Sequence, residues 1–185
     1  MLSARIRIAA RLVAVAALAA LTAGCFQPMY AERTLDGQSS ALREKLMGVE
    51  VPPVDKANAS REARVGVEVR NALAFKLYGT ATGAPPTHRL VLRFNTSRSS
   101  LMIDPTTALP TSENYGIDAQ FNLIEIASNK SVMTGTTFSR VSYDMPGSYQ
   151  RFTRTRALRD AEDRAAQEIA DNIQTRLASF FSAGT

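Results

Sequence analysis

Two stretches of the chain, 89–95 and 115–123, alternate apolar and polar side chains with period two, and this pattern limits what the chain can fold into. Leu90, Leu92 and Phe94 interleave with Arg89, Arg93 and Asn95, while Tyr115, Ile117, Ala119, Phe121 and Leu123 interleave with Asp118, Gln120 and Asn122. Successive side chains of a strand point to opposite faces, so the pattern specifies a sheet that is apolar on one side only. That side needs a cover.

The cover is legible in the same chain. Residues 61–78 place Val65, Val69, Leu73 and Leu77 four apart, with Asn58 or Ser60 as a cap and Gly79 as a stop, which predicts an amphipathic helix. Arg61, Glu62, Arg64, Glu68, Arg70 and Lys76 fall largely off that stripe. A second helix follows Asp144-Met145-Pro146-Gly147-Ser148 and runs to about Phe181 along Ala161, Ala165, Ile169, Ile173, Leu177 and Phe180. Alanines early in that stripe let it lie close on a neighbour.

Val49, Val51 and Val54 around Pro52-Pro53 suggest a short first strand at an edge or an end. The strand after it continues through Leu101-Met102-Ile103 until Asp104-Pro105 interrupts it, and Asn129-Lys130 turns the third strand into a hairpin partner over 131–143. The order is β-α-β-β-β-α. The expected fold is α+β, a two-layer sandwich with two amphipathic helices on one face of a roughly four-stranded mixed sheet, its first strand, helix and second strand forming a right-handed crossover.

The amino terminus constrains location. Arg5, Arg7 and Arg11 precede the apolar run Leu12–Leu21, then Thr22-Ala23-Gly24-Cys25. This is the plan of a secretory signal peptide, with an apolar core about half as long as a spanning helix requires. Its small residues end at the only cysteine of the chain, whose thiolate suits a thioether to diacylglycerol. The segment resembles the bacterial lipobox, with Thr22 where a branched apolar residue is usual. Residues 1–24 read as a lipoprotein signal peptide, 25–47 as lipidated terminus and tether, 48–181 as one periplasmic domain, and 182–185 as a tail. Cleavage removes three arginines and no acid, so the net charge of +5 falls to +2.

Chemistry is sparse. With one histidine, His88, and one cysteine, no nitrogen and sulfur metal site can be assembled. Phosphate-binding glycine loops, cofactor motifs and nucleophile–base pairs are absent, and no basic run with interleaved aromatics suggests nucleic acid. The expectation is a protein without a catalytic site or cofactor. Arg89, Arg93 and Arg98 lie on or after the second strand, and Arg140, Arg151, Arg154 and Arg156 lie around the last strand and the start of the last helix. Guanidinium binds phosphate in a fork, so Arg140, Arg151 and Arg154 are candidate contacts to anionic lipid or phosphosugar. Scattered solubilising charge is the plain alternative.

The start Gly24-Cys25-Phe26-Gln27-Pro28-Met29-Tyr30 resembles the Gly-Cys-Gly-Phe-Gln-Pro-Leu-Tyr opening of the lipopolysaccharide-assembly lipoproteins, the LptE family, with one glycine missing. The closing stretch from Tyr143 to Phe181, an aromatic-rich strand, a Ser-Tyr turn and an alanine-rich helix, is similar to that family's ending. The resemblance implies an outer-membrane lipoprotein without enzymatic activity. It also implies a place inside a large β-barrel partner, LptD, and a part in inserting lipopolysaccharide at the cell surface. Phe26 after the cysteine, where aspartate would favour inner-membrane retention, fits outward sorting. Only Cys25 carries over from the family residue by residue. A lipoprotein accessory of another lipid-transport or secretion complex, or a periplasmic enzyme, are the competing readings.

Acylation at Cys25 is directly testable. Cys25→Ala should release the protein from the membrane pellet into the soluble fraction; continued pelleting would refute the lipid anchor.

Overall fold

A computed structural model of the chain describes residues 41–79, 83–145 and 151–183, with the Arg151 side chain outside that description. The signal peptide, Cys25 and the turn residues Pro146-Gly147-Ser148 therefore lie outside the described residues. Among these described residues seven elements follow in order: α1 (Ala41–Met47), β1 (Val49–Glu50), α2 (Arg61–Tyr78), β2 (His88–Ile103), β3 (Pro110–Glu125), β4 (Lys130–Asp144) and α3 (Arg151–Ala183). The strands form one mixed sheet in the order β1-β2-β3-β4, with β1 parallel to β2 and the other pairs antiparallel. This is the α+β sandwich that the alternation demands.

Every apolar position of the alternating runs is buried on the helix side, from Leu90, Leu92 and Phe94 to Tyr115, Ile117, Ala119, Phe121 and Leu123. The stripe of α2 meets them with Val65, Val69, Leu73 and Leu77. From α3 come Ala161, Ala165, Ala166, Ile169, Ala170, Ile173, Leu177 and Ala178, all at most 1 % exposed. Burying each large side chain of this kind contributes about 1.5–3 kcal/mol. Phe181 is buried where the stripe predicted Phe180, which is half-buried beside it. Helix α3 ends at Ala183, two residues beyond the expected end.

Local chemistry sets the ends. Ser60 caps α2, its Oγ accepting from the Ala63 N–H at 2.9 Å, and Gly79 closes it at φ 66° with its N–H donating to the Phe75 carbonyl at 2.7 Å. Only glycine takes that left-handed conformation without strain. Asn129 turns the β3–β4 hairpin at φ 52°, a conformation that asparagine tolerates.

Strand β1 is shorter than the valines suggested, stopping at Glu50. Pro52 and Pro53 have no N–H to give a ladder, and side chains replace it. Arg70 Nε donates to the Val51 carbonyl at 3.0 Å, and Lys56 Nζ donates to the Phe94 carbonyl at 2.7 Å.

The folded unit also begins earlier than expected. Ala41–Met47, within the stretch read as tether, is helix α1, and its Leu46 enters the core at 5 % exposure. The compact unit accordingly runs from Ala41.

The two long helices run in the same direction, because their contacts advance together: Arg64 with Glu162, then Lys76 with Asp171 at 2.6 Å. Glu162 is 1 % exposed. Its carboxylate is held by the Arg64 guanidinium, with Arg61 at 3.6 Å.

Gly135 marks the tightest cross-strand contact of the β3–β4 pair. A Cβ there would lie 2.5 Å from the Phe121 ring, so the ring fills the space a side chain would need. Gly135→Val should lower stability by about 1–3 kcal/mol through overpacking, read as the urea midpoint, and Phe121→Leu in the same chain should recover part of the loss. An unchanged midpoint would show that the ring has room to move.

Candidate functional site

With the apolar face covered, the molecule presents two distinctive surfaces: the open face of the sheet and the end of the β2–β3 hairpin. The hairpin is long because both strands have sixteen residues, roughly 50 Å at the usual rise. From Ser97 to Ile103 every residue of β2 is exposed, so this end stands clear of the helices. At its tip Leu101, Met102, Ile103 and Leu109 are 53, 65, 62 and 45 % exposed. Large apolar side chains exposed together on such an arm mark an interaction site more often than a solvated loop.

The tip itself is well tied. Asp104 N–H donates to the Leu109 carbonyl at 2.9 Å, the Ala108 N–H to the Asp104 carbonyl at 2.8 Å, and the Thr106 N–H to Asp104 Oδ1 at 2.8 Å. That last bond, with the neighbouring Thr107, lowers the Asp104 pKa from its ordinary value. At the root, the Tyr143 hydroxyl donates to Glu113, and burial together with that carboxylate pushes the phenol up to about 12.

The open sheet face is polar. A concavity of about 670 Å³ is lined there by Arg93, Asn95, Asp118, Gln120, Thr136 and Phe138, among others. Arg140 lies across Gly116, where a Cβ would meet its side chain at 3.1 Å. It pairs with Asp118 Oδ1 at 2.7 Å, donates to the Ser139 carbonyl at 2.9 Å and lies 5.6 Å from the Phe138 ring centroid. Arg89 pairs with Glu50 at 2.9 Å.

Two of the arginines proposed from the sequence, Arg140 and Arg154, lie on different sides of the sheet. Arg140 is on the open face. Arg154 is on the helix side, half-buried, with Nη2 3.9 Å from Met145 Sδ. The Arg151 side chain lies outside the described residues. Arg98 is on the helix side near Tyr143, and Arg156 is exposed on α3.

His88 packs edge-on against Phe181 at 5.2 Å with Thr87 Oγ1 2.9 Å from Nδ1. Burial lowers its pKa from the ordinary value, against a smaller opposing pull from Glu125, which favours the neutral ring. Among the described residues no group of three or more His, Cys, Asp or Glu is placed to hold a metal, and no helix is long and apolar enough to cross a membrane. The hairpin arm is the feature that sequence reasoning passed over. Its signal was present, since Leu101, Met102 and Ile103 are consecutive and cannot all face one side of a sheet.

Two solved structures share the fold. A Caulobacter crescentus CB15 protein, given as a candidate lipoprotein, matches with a TM-score of 0.63 and 21 % identity over 79 % of this chain and 98 % of its own. Rare lipoprotein B from Shewanella oneidensis matches at 0.50 and 16 % identity, covering 73 % of this chain and 96 % of its own. No curated protein matches. The family model for lipopolysaccharide-assembly, LptE, matches residues 46–177, which include every strand and most of α3, and the chain therefore belongs to the LptE family.

Proposed function

We propose that this lipopolysaccharide-assembly lipoprotein is anchored through acylated Cys25 to the inner leaflet of the outer membrane, and that its domain occupies the lumen of an LptD-type β-barrel. There it helps assemble the barrel and takes part in passing lipopolysaccharide to the cell surface. The role involves no catalytic step and no cofactor. The hairpin arm carries this reading: a narrow, internally hydrogen-bonded extension ending in Leu101, Met102, Ile103 and Leu109 is shaped to reach into a partner. The polar open face supports it, because barrel lumens are polar and wet.

The arginine reading takes a narrower form. Arg140 and Arg154, being on different faces, serve separate phosphates of lipopolysaccharide, with Arg151 as a third contact. Arg140 is already paired with exposed Asp118, and such a pair contributes little to stability, so its replacement is structurally mild.

Two experiments test these statements. Replacing Leu101, Met102 and Ile103 together by Ser should lower recovery of a barrel-sized partner in detergent pull-downs at least about tenfold, with thermal unfolding nearly unchanged, because exposed positions shift stability by roughly 0.5 kcal/mol or less. Full recovery of the partner would reject the arm as the contact. Replacing Arg140, Arg151 and Arg154 by Ala should weaken lipopolysaccharide binding several-fold at unchanged helicity, and unaltered binding would retire these residues.

A further inference from the structure

The open face of the sheet divides into side chains that already have partners and side chains that do not. Arg140 pairs with Asp118, Arg89 with Glu50, and Asn122 accepts from the Ser131 hydroxyl. Between them Arg93, Asn95, Gln120 and Thr136 are exposed, and their side chains make no hydrogen bond or ion pair among the described residues. All four line the same concavity, which Phe138, 65 % exposed, also borders.

Register fixes their layout. Arg93 of β2 lies opposite Gln120 of β3, and Gln120 opposite Thr136 of β4; the next row on the same face is Asn95, Asp118 and Phe138. From Arg93 to Phe138 is two strand spacings across and two residues along, roughly 12 Å between Cα atoms. The charges around the concavity cancel except at Arg93, since Asp55 offsets Lys56 and Arg140 meets Asp118.

Such a surface suits a molecule with hydroxyls at its edge, C–H groups on its face and a single anionic group. A sugar acid is built that way. The amides of Asn95 and Gln120 and the hydroxyl of Thr136 each donate and accept, as sugar hydroxyls require, and the negative face of an aromatic ring receives C–H groups. A peptide would find less here, because the backbone of β3 is already paired on both sides, with β2 and with β4. We propose that the open face holds a disaccharide-sized, carboxylate-bearing saccharide, which in the reading above is part of lipopolysaccharide. Arg93 grips the carboxylate in a fork, Asn95, Gln120 and Thr136 take hydroxyls, and one ring lies on Phe138. This deepens the lipopolysaccharide reading and rests on it.

The test titrates the full chain, purified in detergent, with lipid-free core oligosaccharide cut from lipopolysaccharide, read by calorimetry. The oligosaccharide is used in native, carboxyl-reduced and dephosphorylated forms. Saturable binding is expected for the native and dephosphorylated forms, and carboxyl reduction should weaken it about tenfold, the usual scale for one charge-assisted contact. Arg93→Gln should weaken the native form by the same factor and leave the carboxyl-reduced form as it was, because the two changes remove one interaction. Gln120→Ala and Phe138→Ala should weaken all three forms several-fold at an unchanged unfolding temperature. Recovery of the barrel-sized partner by these variants should equal that of the unsubstituted chain, which separates this site from the barrel contact. An absence of saturable binding at millimolar oligosaccharide overturns the inference and leaves the barrel result standing. So does binding lost on dephosphorylation and kept on carboxyl reduction, or an Arg93→Gln loss equal for the native and carboxyl-reduced forms. Barrel recovery that falls for Arg93→Gln or Phe138→Ala while oligosaccharide binding holds would assign this face to the barrel wall and overturn it as well.

Discussion

The structure depends on burying one face of a single sheet. A sheet that is apolar on one side cannot stand alone in water, and here α2 and α3 cover it with a continuous set of aliphatic side chains. Alanine carries half of this task. Ala161, Ala165, Ala166, Ala170 and Ala178 have little side-chain entropy to lose and let α3 approach closely. The larger residues Ile169, Ile173 and Leu177 then reach between the strands and the second helix. A polar side chain on this stripe would be buried without a partner, which makes the stripe the least tolerant part of the sequence.

The opposite face answers to different physics. Threonine, asparagine, glutamine and arginine leave it wet, and its ion pairs at Arg89 and Arg140 are exposed. Pairs of that kind give orientation more than stability. The molecule is thus divided into a dry layer that determines the fold and a wet surface, with a projecting arm, through which it meets other molecules.

Much of the fold was legible because period and burial are directly linked. The stripe of α2, both alternating runs, the Asn129 turn and the extent of α3 all follow from side chains repeating at 3.6 or 2 residues. What escaped was set by contacts distant in sequence. Helix α1 is too short to show a period, and its place in the domain comes from Leu46 in the core with Leu42 packed beside it. Pro52 and Pro53 announce the end of β1, but the side chain of Arg70 that takes the next carbonyl comes from a helix and shows in no local pattern. The arginines close together in sequence were separated by the pleat. Arg140 follows a residue directed at the helices and so faces away from them, whereas Arg154 belongs to the helix layer. The exposed triplet Leu101-Met102-Ile103 reads as ordinary strand until the helices are seen not to extend over it.

The carboxylate enclosed between the two long helices has a further consequence. Glu162 meets Arg64 and Arg61 only when α3 lies at one position along α2. Apolar stripes with a four-residue repeat are nearly indifferent to a slip of one turn, but such a slip would strand a bare negative charge in a dry seam. The favourable energy of the native pair is small once desolvation is counted, whereas a mismatched charge costs several kcal/mol. The ion pair therefore acts as a proofreading contact: it adds little to the correct arrangement and excludes the neighbouring wrong one.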